Sequence, residues 1–263
     1  MPPPAASLPA PSLRPLGAAS PDWVRRVVIA QWGRTYADAL QGVCARAFPR
    51  AEFVACCSGG ETLAELRIRP ADVLLLALTF PDMDGVDLLP VIAREKLSGR
   101  VLVASHRREE HSLQTLRESR FDGLIDTLEE SAEGLVRALR LVADGGSYLS
   151  PSLRDAIIVR AAPGETMQKL TAMETRVLAE LGDGSLNPAV AGKLGISVAT
   201  VQTHRRNLMR KLGISSSGRL VREAIRLGLV RITTDGRVIR PGFPALETAY
   251  PGLGSQEHSR RPA

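Results

Sequence analysis

The chain has 263 residues, with 34 Lys and Arg against 28 Asp and Glu and a formal net charge of +6. That length holds one large domain or two modest ones, each able to bury its own core. Its apolar fraction of 44% is ordinary for a globular protein, and no apolar run approaches the roughly 18 residues that a membrane-crossing helix needs.

Residues 1–22 open MPPPAASLPAPSLRPLGAASP, rich in Pro and Ala with one Arg and no continuous apolar stretch. This predicts a disordered leader rather than a signal peptide. From 23 to 144 short apolar runs alternate with amphipathic segments. Strands are predicted at RVVIAQ (26–31), EFVACC (52–57), DVLLLAL (72–78), RVLVAS (100–105) and GLID (123–126). Helices are predicted near 35–47, 60–67, 85–97, 108–119 and 130–143. Several strands are almost wholly apolar, as happens when both faces of a parallel sheet are covered. Five β–α units at this spacing predict an α/β fold with a doubly wound five-stranded parallel sheet. Chemistry in such folds gathers outside the C-terminal strand ends, at the switch in strand order. The three cysteines, Cys44, Cys56 and Cys57, lack CxxC spacing. They predict free thiols in a reducing cytoplasm, with neither a disulfide framework nor a zinc site.

Residues 145–168 read as a linker with one short helix near 152–160. Residues 169–230 read as all helix. TAME (171–174) is a capping box that opens a helix to about 181. Asn187 before Pro188 predicts an N-cap and a second helix ending near Gly195. Ser197 caps a third, 198–212, which Gly213 stops. A fourth runs from about 217 to 227. Beyond it, 231–263 is rich in Gly, Pro and charge, with weak strand-like patches, and is expected to be disordered.

Charge divides unevenly. Residues 22–150 carry 16 basic and 19 acidic side chains, whereas 165–230 carry 10 basic and 5 acidic. The second segment suits a polyanion. On a helical wheel Val201, Leu208 and Leu212 share the core side of 198–212, with Val198 nearby. Gln202, Arg206 and Arg210 lie opposite, joined by Thr203 and Asn207. A polar outer face alone is a solvated face. Here, however, residues 197–212 hold four basic side chains and no acid. Gln and Arg can read adenine and guanine edges bidentately. The preceding helix and the short LGIS connection (194–197) give helix-turn-helix spacing.

From LTAMETRVLAEL through to REAIRLGLV, residues 170–230 resemble the LuxR-type DNA-binding domain end to end. The resemblance implies double-stranded DNA as partner and 198–212 as the recognition helix. Gln202, Thr203 and Arg206 then approach bases. Thr200, Arg205 and Arg210 lie near phosphates, and Lys193 touches the backbone from the preceding helix. The family commonly has Asn-Lys where this chain has Asn187-Pro188, so one phosphate contact is lost. Leu220, Ala224 and Leu227 share a stripe on the last helix, through which family members often dimerise. Core packing within one protomer is the alternative. A homodimer would address half-sites about one helical turn apart.

The α/β half resembles the receiver domain of NarL/FixJ-type response regulators, through PADVLLLALTFPDMDGVDLL and the exit GGSYLSPSL. The resemblance implies phosphoryl transfer to an aspartate. That chemistry needs a carboxylate nucleophile, further acids for Mg²⁺ and a lysine. Here the aspartate position is Ala77, and the first-strand acids are replaced by Gln31 and Trp32. Thr127 stands where the lysine belongs, and no lysine occurs from 97 to 168. Ser105 alone keeps its hydroxyl. Asp82 and Asp84 are ordinary turn residues without a lysine partner. Trp32 either fills the vacated volume or lies over the sheet edge. His106, Arg107 and Arg108 either form a solvated loop or meet an anion.

The sequence therefore predicts a bacterial, cytoplasmic transcription regulator, on the nucleoid when bound to DNA, that acts independently of aspartyl phosphorylation. It uses neither metal nor cofactor, and its pseudo-receiver serves dimerisation or partner binding. A second reading makes the vacated pocket a small-molecule sensor. A third makes the chain a protein adaptor that no longer binds DNA, against which the unbroken basic helix argues. An enzyme finds no support, since no nucleophile–base pair, metal cluster or Gly-rich phosphate loop stands out.

Overall fold

The computed structural model describes residues 22–158, 166, 169–233 and 236–240. The predicted leader up to residue 21, most of 159–168 and the tail beyond 240 lie outside the described residues.

The apolar runs form β1 (Arg26–Ala30), β2 (Glu52–Cys56), β3 (Ala71–Ala77), β4 (Ser98–Ala104) and β5 (Gly123–Ile125). A sixth strand, β6 (Tyr148–Leu149), extends the sheet where five strands were expected. Two residues are too few to leave an alternation that a sequence reading can detect. All six strands are parallel, in the order β2-β1-β3-β4-β5-β6. The order reverses between β1 and β3, which places the crevice there.

Alternate residues along each strand feed two cores. Val27, Ile29, Val73 and Leu75 pack with α1 (Arg34–Ala47) and α5 (Ala132–Ala143). Val28, Leu74, Leu76 and Val103 pack on the other side with α2 (Gly59–Ile68), α3 (Leu88–Glu95) and α4 (Glu110–Glu118). Helix α3 starts later than 85 because Gly85–Asp87 is a 3-10 turn, which Asp84 opens by accepting from the Val86 N–H. A Cβ at Gly85 would lie 2.5 Å from the Ala77 carbonyl oxygen. The β3–α3 loop doubles back on its own strand end, and only glycine fits.

The helix predicted in the linker is α6 (Pro151–Ile158). It is fastened to the α/β domain. Leu153 enters the core, Ser152 Oγ donates to Asp126 at 2.8 Å, and Arg117 Nε donates to the Ile157 carbonyl at 3.0 Å.

The C-terminal domain contains α7 (Ala172–Leu181), α8 (Asn187–Leu194), α9 (Val198–Leu212) and α10 (Ser217–Arg226). Gly195 and Gly213 end α8 and α9 in the left-handed region, at φ 64° and 65°. The N-cap of α8 is Leu186, not Asn187 as expected, because the Asn187 amide oxygen accepts from Arg205 Nη1 at 2.9 Å. The predicted disordered tail starts too early. Residues Arg231–Ile232 (β7) and Val238–Ile239 (β8) form an antiparallel hairpin. Ile239 is buried, and Arg240 bonds the Ala179 carbonyl and Asp183.

Thr171 and Glu174 cap α7 reciprocally, as the capping box predicts. Glu174 also holds Lys211 Nζ at 2.6 Å, which ties the start of α7 to the end of α9. Burial works against the Glu174 charge, but hydrogen bonds from Lys211 and Thr171 outweigh it and hold its pKa below the ordinary value. Glu174→Ala should destabilise this domain by roughly 1–3 kcal/mol, since it leaves Lys211 half-buried without its acid. Glu174→Gln, which keeps the cap acceptor, should lose less. Hydrogen exchange of α7 and α9 in the full chain measures both, and equal protection in all three proteins would remove the ion pair from the account.

Candidate nucleic-acid interface and receiver crevice

Ser197 caps α9 through its hydroxyl, which accepts from the Thr200 N–H at 3.0 Å. Val201 and Leu208 are buried beneath it. The wheel holds for Val201 and Leu208 and for Thr200, Gln202, Thr203, Arg206 and Arg210, which are all exposed. Val198, however, is 39% exposed rather than on the core side, and Asn207 is half-buried. Thr203 Oγ1 donates back to the Ala199 carbonyl at 3.0 Å.

Other predicted contacts are engaged within the chain. Arg205 is half-buried and bonds Asn187 across α8 and α9. Lys193 Nζ lies 3.4 Å from Glu180 and 3.7 Å from Asp183. The expectation for α10 needs correction. Leu220, Ala224 and Leu227 are 1%, 0% and 0% exposed within the core of their own domain. They are packing residues, and the outward flank of α10 carries Arg222 and Ile225 beside the half-buried Val221.

At the crevice, Ala30 of β1 pairs with Leu76 of β3, which sets Gln31 level with Ala77. Gln31 turns its amide to the Trp32 carbonyl at 2.8 Å. Trp32 is 39% exposed, so it lies over the surface rather than filling the volume. Ser105 is buried, its Oγ accepting from the Arg107 N–H at 3.1 Å. Thr127 Oγ1 contacts His106 Nδ1 at 3.1 Å. Asp82 caps α2, accepting from the Gly59 and Gly60 N–H groups at 2.9 and 2.8 Å. Among the described residues no group of three His, Cys, Asp or Glu is placed to hold a metal ion.

Sequence reasoning missed the dominant charges. Arg107 is 5% exposed and Asp84 fully buried, with Nη1 at 2.7 Å from both carboxylate oxygens. The same nitrogen reaches the carbonyl of Leu78, the residue after Ala77, at 3.3 Å. Burial disfavours the Arg107 charge, but Asp84 and Glu109 overcome it and raise its pKa. Arg108 points the other way, to the buried Asp126 at the end of β5. The solvated-loop reading holds for His106, which is exposed, but not for the two arginines, which meet internal carboxylates. The available signal was the placement of acids just beyond β3 and at the end of β5, on either side of the Arg-Arg pair.

A parallel sheet whose crevice lies at the β1–β3 reversal, joined to a helix-turn-helix domain with an open cationic helix, defines a two-domain regulator that binds DNA. The comparisons agree. A family model described as bacterial regulatory proteins, luxR family, matches residues 168–224. The probable transcriptional regulatory protein SgaR of Hyphomicrobium methylovorum is 33% identical over 159 residues, 60% of this chain and 72% of that protein. The transcriptional regulatory protein UhpA of Escherichia coli K12 is 32% identical over 165 residues, 63% of this chain and 80% of that protein. RcsB of Salmonella enterica serovar Typhimurium, solved bound to promoter P1flhDC with a phosphomimetic, shares the fold. Its TM-score is 0.52 at 20% identity, covering 78% of this chain and 98% of that one. The chain belongs to the LuxR-type transcriptional response regulators of the NarL and UhpA kind. Among its described residues no helix is long and apolar enough to cross a membrane.

His111, beside the Arg107–Asp84 pair, titrates abnormally. Burial lowers its pKa from 6.5 to about 4; Asp84 pulls it up and Arg107 pushes it further down. The folded protein keeps this imidazole neutral, whereas the unfolded chain protonates near pH 6.5. The contribution to stability is therefore complete above pH 6.5, declines as pH falls towards 4, and is flat below. It amounts to at most about 3 kcal/mol. Melting curves between pH 7.5 and 4.5 should fall less steeply for His111→Gln than for the wild type. Parallel curves would exclude His111 as a source of the slope.

Proposed function

We propose that this regulator works as a homodimer on double-stranded DNA and that its receiver domain holds its working conformation without aspartyl phosphorylation. The end of β3 carries the reading. Ala77 offers a methyl group that cannot attack phosphorus, and the nearest buried cation, Arg107, is already neutralised by Asp84. Supporting it, the Gln31 amide donates to the Trp32 carbonyl and Thr127 stands where the family has lysine. Mg²⁺ needs several hard oxygen ligands, and the acids nearby are spent: Asp82 on the amides of α2 and Asp84 on Arg107. A small-molecule sensor gains no support from this geometry, because Arg107 and Arg108 are both committed internally. The domain acts as a scaffold, not an enzyme.

On DNA, Gln202, Thr203 and Arg206 read bases, while Thr200 and Arg210 contact phosphates. Arg205 and Lys193 contribute only by leaving Asn187 and the Glu180–Asp183 acids. Dimer contact through α10 uses Val221, Arg222 and Ile225, since the Leu220 stripe is inside.

Two experiments test the proposal. Incubation of the purified chain with acetyl phosphate and Mg²⁺ should leave no hydroxylamine-labile phosphate by intact-mass analysis, in the wild type or in Ala77→Asp. Acyl phosphate on the wild type sinks the phosphorylation-independent reading. In electrophoretic shift, Arg206→Ala should weaken operator binding by about 1–3 kcal/mol and change non-specific binding far less. A two-fold repeated site should bind more tightly than a single half-site, and Ile225→Asp should remove that difference. Equal loss on operator and random DNA removes Arg206 from base reading, and no preference for the repeated site removes the dimer.

A further inference from the structure

The DNA-binding domain is seated against one patch of the receiver, made by the start of α4 and the β3–α3 loop. The His111 N–H donates to the Leu227 carbonyl at 3.0 Å. Gly228, at φ 78°, passes so close to α4 that a Cβ there would lie 2.6 Å from the Glu109 Cβ. Arg231, at the start of the hairpin, reaches furthest. Its Nη2 donates to the Phe80 carbonyl at 2.5 Å and to the Met83 carbonyl at 3.2 Å. With the receiver in this position, Gln202, Thr203, Arg206 and Arg210 remain exposed.

Two carbonyls three residues apart accept from one guanidinium nitrogen only while the loop between them keeps a fixed shape. Phe80 anchors one end, fully buried in the sheet core. The other end is Asp84, which Arg107 grips from β4. Burial lowers the Arg231 pKa, against which Asp84 and Glu109 pull it up, while Arg107 pushes it further down. The Asp84 carboxylate binds Arg107 directly. Arg231, from the other domain, is held by the Phe80 and Met83 carbonyls and lies within the field of Asp84. Without its charge the two cations would face each other across the domain boundary, and Asp84 would no longer draw Arg107 inward.

We infer that Arg231 is a clasp that fixes the DNA-binding domain on the β3–α3 loop with its reading helix uncovered, and that the internal Arg107–Asp84 pair holds that loop in the receiving shape in place of a covalent signal. This deepens the proposed function and rests on it in one respect, the absence of phosphorylation as the input. The clasp makes the regulator permanently docked and permanently able to read DNA.

The test uses the full chain, with small-angle scattering and amide exchange on the wild type, Arg231→Gln, Asp84→Asn and the double variant. Arg231→Gln should enlarge the radius of gyration and speed exchange of the His111 amide by at least about tenfold, with β1 and β3 unchanged. The double variant should open no further than either single variant, because both break one device. Binding of a single half-site should stay within about twofold of wild type, the reading face being open already. Unchanged scattering and exchange in Arg231→Gln overturn the clasp. About tenfold tighter half-site binding in Arg231→Gln overturns it in the other direction, since the docked state would then be inhibitory. Should Asp84→Asn fail to fold, Gly228→Ala, which forces a Cβ against Glu109, decides whether the patch is the docking surface. Acyl phosphate in the acetyl phosphate experiment would leave these outcomes intact, so the two readings fail separately.

Discussion

A carboxylate with no exposure to water must have a cation beside it or lose its charge, and Asp84 has Arg107. Much else in the molecule follows from that pairing. Removing one partner of a buried pair costs about 3–5 kcal/mol, while replacing both by apolar groups of equal size is often neutral. The pair is therefore an inefficient source of stability. What it supplies is direction. Arg107 draws the segment after β4 towards β3, and Arg108 draws it towards β5 through Asp126. Since β4 lies between those strands, one dipeptide fastens the approach to α4 on both sides. The network continues through Ser152 and Ser150 to Glu130 and Tyr148, so β6 and α6 are held by the same polar seam.

On the proposed reading, this seam explains how a receiver does without its chemistry. A switch needs an input that binds two states with different affinity. In a phosphorylated receiver the incoming anion meets a cation that was waiting for it. Here the anion is a side chain of the same loop and is always present. Its interaction with Arg107 is satisfied in the resting protein, so a phosphoryl group would find no unpaired charge to reorganise. On that reading the loop is held by an ion pair of the chain itself rather than by a modification.

The sheet and the reading helix were legible because their signals are local. Apolar runs located β1 to β5 within a residue or two, and Ser197 with Gly213 fixed both ends of α9. What escaped was either very short or long-range. Strand β6 and the hairpin around Gly236 have two-residue strands, below the length at which alternation is visible. Arg107 and Arg108 look solvated in sequence because their acids are 23 and 18 residues away. Leu220 and Ala224 on α10, with Leu227 at its C-cap, form a true apolar stripe. A stripe says that a helix is covered, not whether its own domain or a second copy covers it. Asn187 shows the same limit: its type and place suit a cap, yet Arg205 claims its oxygen and the cap shifts to Leu186.

That last competition bears on how strongly the domain meets DNA. A count of basic residues on α9 gives four, but Lys211 neutralises Glu174 and Arg205 is bonded to Asn187. Lys193, from the helix before, stands among acids that Arg240 also shares. These side chains hold the four helices in register, and each loses a partner on turning to a phosphate. Arg206 and Arg210 are exposed and face outward. Salt dependence follows the number of phosphates neutralised rather than the net charge of the domain. The positive charge of α9 therefore divides into Arg205 and Lys211, which are bonded within the domain, and Arg206 and Arg210, which are open to solvent.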